Sequence, residues 1–181
     1  ANTGATASKG DLCFQCHEDK STRVTSKHPP VQEGCTVCHL PHASETAKLL
    51  TRKASDLCYS CHGEMQKARQ LANLHLPFKE NMCTTCHNPH GSNIGKILKN
   101  RVEKTCYSCH ADAEVSFAKA NIHKPVLDGA CTACHTPHGS ANAGLLKSAG
   151  KDLCAQCHKS LMEQVVGGSN HVPFVEGMCL T

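Results

Sequence analysis

The sequence predicts a mostly irregular chain with short α-helices, tandem modules and essentially no β-sheet. Three observations predict this fold class: a Cys- and His-rich pattern recurs about every 48 residues, no stretch alternates apolar and polar residues long enough for a strand, and aromatic residues are scarce. Trp is absent, and aromatic residues make up 3% of the 181 positions. A chain of this length normally buries many large side chains to offset its ordering entropy. This chain cannot, so we expect its core to come from another source.

The recurring pattern contains the motif Cys-x-x-Cys-His, which occurs seven times. This is the spacing by which two thiols form thioethers to the vinyl groups of a haem while the adjacent His binds the iron. We therefore expect seven covalently attached c-type haems, whose macrocycles form a haem-organised core, and a chain that is unfolded without them. The predicted thioether cysteines are Cys13, Cys16, Cys35, Cys38, Cys58, Cys61, Cys83, Cys86, Cys106, Cys109, Cys131, Cys134, Cys154 and Cys157, and the adjacent iron ligands are His17, His39, His62, His87, His110, His135 and His158.

Two motifs form one module, because the first cysteines of the odd-numbered motifs (13, 58, 106 and 154) and of the even-numbered motifs (35, 83, 131 and 179) both recur at steps of 45 to 48 residues. We expect two-haem modules over 11–55, 56–103 and 104–151, after a flexible lead-in over 1–10. A fourth module over 152–181 is cut off inside its second motif. Cys179 opens that motif, and it provides an eighth haem site if the chain continues past Thr181, as we expect.

Helical periodicity is modest and falls between the motifs. Apolar residues spaced three and four apart predict helices over 63–73, 111–122 and 159–166. We expect the apolar face of each helix to pack against a haem.

The seven histidines outside the motifs recur at equivalent positions of the repeat, and all eight prolines lie within two residues of one of them. Proline fixes its own φ and holds the preceding residue extended, which would aim an imidazole at an iron with little entropy left to lose. The number of these histidines equals the number of motifs. They are the predicted second axial ligands: His28, His42, His75, His90, His123, His138 and His171.

The assignment of these histidines to haems is constrained by chain reach. His90 lies three residues after His87, at most about 11 Å of extended chain, which is too short to reach the opposite face of the same haem. We prefer a scheme in which ligands cross within each module. In it the second haem of a module receives His28, His75 or His123, the first haem receives His42, His90 or His138, and His171 belongs to the eighth site. The alternative scheme shifts ligands between modules, so that seven distal histidines serve seven haems.

The formal charge of +4 does not indicate nucleic-acid binding. The propionates of seven haems add roughly −14, and each ferric bis-His core adds about +1, so the oxidised protein carries roughly −3. The near absence of aromatic residues also argues against a nucleic-acid partner. No run approaches the roughly 18 apolar residues that a membrane-spanning segment needs. Because thioethers to haem are normally formed outside the cytoplasmic membrane, the chain is predicted to be exported.

A longer signature, Cys-Thr-x-Cys-His-x-Pro-His-Gly-Ser, is shared by Cys83–Ser92 and Cys131–Ser140, and Cys35–Ser44 differs from it at Ala43. These residues resemble the doubled Cys-x-x-Cys-His family of multihaem c-type cytochromes, and the resemblance covers almost all of the chain after residue 10. It implies six-coordinate, low-spin haems in a continuous chain of stacked and perpendicular pairs, used for respiratory electron transfer in the periplasm or at the cell surface of a prokaryote. Some relatives deliver electrons to extracellular acceptors, and some polymerise into conducting filaments.

An electron carrier without enzymatic activity is the function that these features favour. Two His ligands leave no open iron position for a substrate, and without a Met ligand the haem potentials are expected to be low. Redox proteins or extracellular acceptors are the expected partners, and an end-to-end filament is a further role within the same function. The alternatives are a multihaem reductase, which needs one open haem, and a zinc protein with Cys and His ligands.

Overall fold

The structure, a computed structural model, describes residues 12–163 and 171–179 of the chain. Within these ranges the backbone forms short helices joined by turns and irregular segments, and no helix exceeds six residues. The predicted fold class is therefore confirmed. The predicted lead-in over 1–10 lies outside the described residues.

The α-helices are α1 (Pro29–Glu33), α2 (Ala54–Tyr59), α3 (Gly63–Ala68), α4 (Leu76–Lys79), α5 (Cys83–Cys86), α6 (Val102–Tyr107), α7 (Ala111–Ser116), α8 (Lys124–Leu127), α9 (Gly150–Ala155), α10 (Lys159–Glu163) and α11 (Val172–Val175).

Two of the predicted helices are shorter than their periodicity indicates. α3 ends at Ala68 rather than at residue 73, and α7 ends at Ser116 rather than at residue 122. After α3 the chain tightens into a turn and then enters strand β2 (Asn73–Leu74), because its backbone groups pair with a neighbouring segment. α10 lies within the third predicted helix, whose residues 164–166 are outside the described ranges.

Each strand is two residues long, and each ladder joins a strand of one module to a strand of the next module. β1 (Ser26–Lys27) runs antiparallel to β3 (Gly91–Ser92), and β2 runs antiparallel to β4 (Gly139–Ser140). The amide of Thr25 extends the first ladder by donating to Asn93 Oδ1 at 2.8 Å. The paired residues are 64 to 67 positions apart in the sequence, so these ladders connect successive modules.

Small residues are required where the ladders bring two backbones together. At Gly91, whose φ is +131°, an added Cβ would lie 2.7 Å from the carbonyl oxygen of Ser26. At Gly139 it would lie 2.9 Å from Leu74 Cδ2. Ala43 holds the equivalent position of the first module, where it is exposed and pairs with no strand of the described chain. A side chain is therefore tolerated there, which explains this departure from the longer signature.

The described chain buries almost no apolar side chain of its own. Phe78, at 8% exposure, is the only apolar side chain of the described residues that is buried, and none of them is completely enclosed. Leu12, Leu76 and Val115 are between 65% and 77% exposed. Apolar side chains in this number need another surface to cover them, as expected for a chain that folds around a cofactor. No helix in the described ranges is long and apolar enough to cross a membrane.

Candidate haem-binding sites

All seven Cys-x-x-Cys-His motifs have the same backbone turn. In each motif the amide of the His donates a hydrogen bond to the carbonyl of the first Cys, at 2.9 to 3.0 Å. The two cysteines and the His therefore keep a similar relative position in every copy. All fifteen cysteines are free thiols, so none is committed to a disulfide. These are the groups and the spacing that thioether attachment of haem requires.

Five motif imidazoles lie opposite an imidazole of the second set. The ring centroids are 6.0 to 6.2 Å apart, and the ring planes are 12° to 28° from parallel. Because metal–imidazole bonds are about 2.0–2.1 Å long, two imidazoles on opposite sides of one metal have ring centres roughly 6 Å apart. The residues present therefore fit a bis-His haem. The pairs are His28 with His62, His39 with His90, His75 with His110, His87 with His138, and His123 with His158.

Hydrogen bonds at Nδ1 orient three of the motif imidazoles. Each ring nitrogen lies 2.8 to 3.0 Å from a backbone carbonyl oxygen nine residues later. A carbonyl can only accept, so Nδ1 carries the proton and Nε2 keeps the lone pair that a metal needs. The donors and acceptors are His39 with Lys48, His87 with Lys96, and His135 with Gly144.

A left-handed turn presents these carbonyls. Lys96 has a φ of +60°, and the following residue, Ile97, has a φ of +51°. The amide of Asn88 donates to the carbonyl of Ile97 at 2.8 Å and so closes the loop beside His87. Residues other than glycine adopt this conformation at a cost of about 1–2 kcal/mol each, which the hydrogen bonds of the loop offset. The same turn recurs at 48–49 and 144–145. The sequence signal for it is the recurring apolar pair that follows each even-numbered motif.

Two imidazoles of the second set are held by the following module. His28 Nδ1 lies 2.9 Å from the carbonyl oxygen of Pro89, and His75 Nδ1 lies 2.9 Å from that of Pro137. The amide of His75 also donates to the carbonyl of His138 at 3.1 Å. Sequence analysis expected these prolines to stiffen the chain, and it missed that their carbonyls accept from a histidine of the previous module.

Two further imidazoles of the second set, His90 and His138, are partly buried. Burial lowers the pKa of both rings, and the neighbouring imidazoles act in the same direction. Both rings are therefore neutral near pH 7. Neutral imidazole is the form that binds a metal.

The ring pairs correct the preferred assignment of ligands. His28 lies opposite His62 of the following module, and not opposite His39 of its own module. His90 lies opposite His39 of the preceding module, and not opposite His62 as we preferred. Both of these partners agree with the chain reach, which excludes only the haem of His87. The within-module scheme is therefore wrong. The reason is that the ladders β1–β3 and β2–β4 hold these segments against the neighbouring module.

The alternative scheme correctly expects histidines to pair between modules, but it expects seven such pairs. In the described part of the chain, no imidazole lies opposite His17 or His135 of the motifs. Nor does a motif imidazole lie opposite His42 or His171 of the second set. Five sites, rather than seven, thus have two facing imidazoles.

Comparison with known protein families agrees with this geometry. The family described as the doubled CXXCH motif matches residues 28–67, 75–115 and 123–163, which together are more than half of the chain. The chain belongs to this family of multihaem c-type cytochromes. Its members attach haem c covalently through their CXXCH motifs, and c-type cytochromes are exported beyond the cytoplasm. A comparison with curated protein sequences gave no match.

The three matched segments of the cytochrome each contain one of the ring pairs. They begin at His28, His75 and His123, and each extends just past the motif His that lies opposite. The repeat unit of the family therefore begins at a histidine of the second set, whereas the predicted modules begin at the odd-numbered motifs.

Within each module, the first cysteines of the two motifs lie close together. In four copies one of the two thiols shifts the pKa of the other. The fourth contact includes Cys179, which therefore lies where the other modules have the first Cys of their second motif. The contacts are Cys13 with Cys35, Cys58 with Cys83, Cys106 with Cys131, and Cys154 with Cys179.

Between modules, the second cysteines of successive motifs are also near each other. The pKa of the Cys38 thiol is raised by burial and by the nearby Cys61. The pKa of Cys86 is raised by burial and by the nearby Cys109. Each motif of the cytochrome in this part of the chain thus adjoins the motif before it and the motif after it.

Proposed function

We propose that this cytochrome is an electron carrier whose seven haems form one continuous row, and that it works in respiratory electron transfer in the periplasm or at the cell surface. The observation that carries the proposal is the set of five imidazole pairs, whose ring centroids are 6.0 to 6.2 Å apart, the spacing expected of two imidazoles that would hold one iron. When bound, haem supplies a one-electron ferric/ferrous couple at each site.

The hydrogen bonds at Nδ1 suit the paired histidines to this function. They hold the rings of His28, His39, His75 and His87 against backbone carbonyls and keep Nε2 unprotonated. A ring held in this way keeps its orientation when the charge on a bound iron changes, so little reorganisation accompanies electron transfer. Two imidazoles that hold one iron would also exclude a substrate from it. This supports a carrier rather than an enzyme.

The contacts between cysteines support a continuous row. Thioether positions of successive motifs adjoin within modules, as at Cys58 and Cys83, and between modules, as at Cys38 and Cys61. The exchange of second-set histidines between modules also supports a continuous row, because one module then contributes ligands to the haem sites of both of its neighbours. Closely spaced sites favour transfer from one to the next.

A multihaem reductase is the second candidate, because it needs one iron with an open position. His17 and His135 have no opposite ring in the described chain. By the offsets of the five pairs, the partner of His17 would lie 34 or 35 residues earlier and that of His135 would lie 51 residues later, both outside positions 1–181. These two sites therefore give no argument for a substrate-binding haem.

End-to-end assembly into a filament is a narrower proposal within the carrier function. The ladders and the exchange of histidines repeat from module to module, and a repeating contact of this kind can continue between copies of a chain. His42 and His171, which face no motif imidazole in the described chain, are the residues that such a contact would use. Electron microscopy of the purified protein tests this: unbranched filaments support the role, and single particles of monomer size contradict it.

Intact mass under denaturing conditions and the visible spectrum test the main proposal. A polypeptide of residues 1–181 is expected to have the mass of the 19.4 kDa chain plus seven haems. The expected spectrum is mainly that of six-coordinate, low-spin haem, because five sites have two imidazoles in the described chain. A mass without added haem would overturn the proposal, and a mainly high-spin spectrum would favour the reductase.

A further inference from the structure

Arg69 is fixed between the third and fourth haem-binding motifs. Its Nη1 donates to Asn81 Oδ1 at 2.8 Å and to the carbonyl of Phe78 at 3.2 Å. The guanidinium carbon lies 6.0 Å from the centre of the Tyr59 ring, and Tyr59 Oη itself donates to Asn81 Oδ1 at 2.9 Å. Tyr59 belongs to the third motif, and Asn81 lies two residues before the fourth. The charge of Arg69 is therefore held where these two motifs meet.

The positive charge of Arg69 acts on the contact between Cys58 and Cys83. In the thiol form, the pKa of Cys83 is lowered to about 6, mainly by the neighbouring Cys58 and, as a smaller contribution, by the charge of Arg69. These two cysteines are predicted thioether positions of successive haems. Arg69 thus lies beside the attachment points of both.

The third module lacks this cation and the residue that anchors it. Phe117 stands 48 positions after Arg69, at the equivalent place in the repeat. Two residues before the second motif, where the second module has Asn81, the third and fourth modules have Gly129 and Gly177.

In the first module, the corresponding contact has a carboxylate beside it. Asp19 accepts hydrogen bonds from the amide and the hydroxyl of Ser21, both at 2.8 Å. The pKa of the Cys35 thiol is raised by burial and by Cys13, and the negative charge of Asp19 adds to this effect.

A carboxylate also lies beside the corresponding cysteines of the third module: it is Glu103, the last residue of the second module. Its side chain is 17% exposed and lies against Gly129, where an added Cβ would be 2.9 Å from Glu103 Cβ. The pKa of the Cys106 thiol is raised to about 11, mainly by burial and by Cys131, and Glu103 adds to this effect. The exposed Arg101 pairs with Glu103 at 2.9 Å and offsets part of its charge.

We propose that Arg69 raises the reduction potentials of the haems attached at Cys58–Cys61 and Cys83–Cys86 above those of the neighbouring modules, so that the second module holds electrons most tightly. The inference rests on the proposed electron-carrier function. Reduction adds one electron to a ferric iron, and a fixed cation nearby stabilises the more negative product. The carboxylates Asp19 and Glu103 act in the opposite sense on the first and third modules.

A potentiometric titration of the haem-loaded protein, followed by visible absorbance, tests this role of Arg69. In Arg69→Gln, about two of the seven electrons, those taken up at the highest potential, are expected to shift to lower potential. Each equilibrium constant for reduction is expected to fall about three- to tenfold, which is roughly 30 to 60 mV at 59 mV per tenfold for one electron. The remaining electrons should titrate as in the unmodified protein.

Three further variants separate the charge from the structural role of the side chain. Arg69→Lys keeps the charge and should keep most of the potential. Asn81→Gly introduces the residue of the third and fourth modules, removes the main anchor of Arg69 and should give a smaller shift in the same direction. Arg52→Gln removes an exposed arginine for which the structure shows no partner in the described chain, and it should leave the titration unchanged.

Two results would overturn the inference. One is a titration of Arg69→Gln that superimposes on that of the unmodified protein, and the other is an equal shift in Arg52→Gln. If Arg69→Gln incorporates fewer haems, the comparison of Asn81→Gly with Arg69→Lys decides in its place, and equal potentials in these two variants would overturn the inference. Failure of the carrier function itself is recognised separately, because the unmodified protein would then show no added haem in its mass.

Discussion

The imidazole rings of His28 and His62 lie 6.1 Å apart and only 12° from parallel, although 34 residues and a module boundary separate them. The position of His28 does not come from its own local sequence. The ladder between β1 and β3 holds the segment of His28 against the next module, and the motif turn positions His62. A haem between these rings would therefore join two modules through its two axial bonds.

The first prediction concerns the ligands themselves. His28→Ala should convert about one haem in seven to high spin, because the ring opposite His62 is lost. His42→Ala is the matched control, since the ring of His42 faces no motif imidazole in the described chain. Electron paramagnetic resonance of the oxidised protein measures the high-spin fraction. An equal high-spin fraction in the His42 variant would instead support ligand pairing within modules.

The second prediction concerns the close approach at Gly91. Gly91→Ala places a Cβ 2.7 Å from the carbonyl oxygen of Ser26 at a φ of +131°, and it should lower the free energy of unfolding by about 1–3 kcal/mol. Gly95→Ala is the matched control, because an added Cβ there meets no atom within 4 Å. Thermal unfolding of the haem-loaded protein, followed by circular dichroism, measures both. Equal melting temperatures for the two variants would count against the ladder between modules.

The third prediction concerns the left-handed turn beside His87. Lys96→Gly should leave stability unchanged or raise it by up to about 1 kcal/mol, because glycine adopts a φ of +60° without the penalty that lysine has. Lys99→Gly, three residues on, does not relieve such a conformation and should be neutral or destabilising. Denaturant unfolding compares the two. A Lys96→Gly protein less stable than the Lys99→Gly protein would show that the turn is not under strain.

The fourth prediction concerns removal of the cofactor. Protein produced in a cell that cannot attach haem should lack cooperative unfolding, because Phe78 is the only buried apolar side chain among the described residues. Circular dichroism and hydrogen exchange of the haem-free chain measure this. A sharp unfolding transition in the haem-free chain would mean that the polypeptide has a sufficient core of its own.

Local features of this protein were predictable from sequence, because they depend on residues close in the chain. The turn of each Cys-x-x-Cys-His motif involves five successive residues, and chain reach alone excludes His90 as a second ligand beside His87. The pairing of His28 with His62 was not predictable, because it depends on a ladder of two residues, β1, that has no alternating pattern. The same cause explains the overlong helix predicted after Gly63. Its last residue, Asn73, begins β2, which pairs with a segment more than 60 positions away, and periodicity does not indicate this pairing.

An experimental structure of the haem-loaded protein tests the central claim most directly, at the haem bonded to Cys58 and Cys61. The exchange of ligands between modules predicts that Nε2 of His62 and Nε2 of His28 both bind its iron, at about 2.0–2.1 Å. An iron bound instead by His62 and His90 would contradict the exchange and restore pairing within the module.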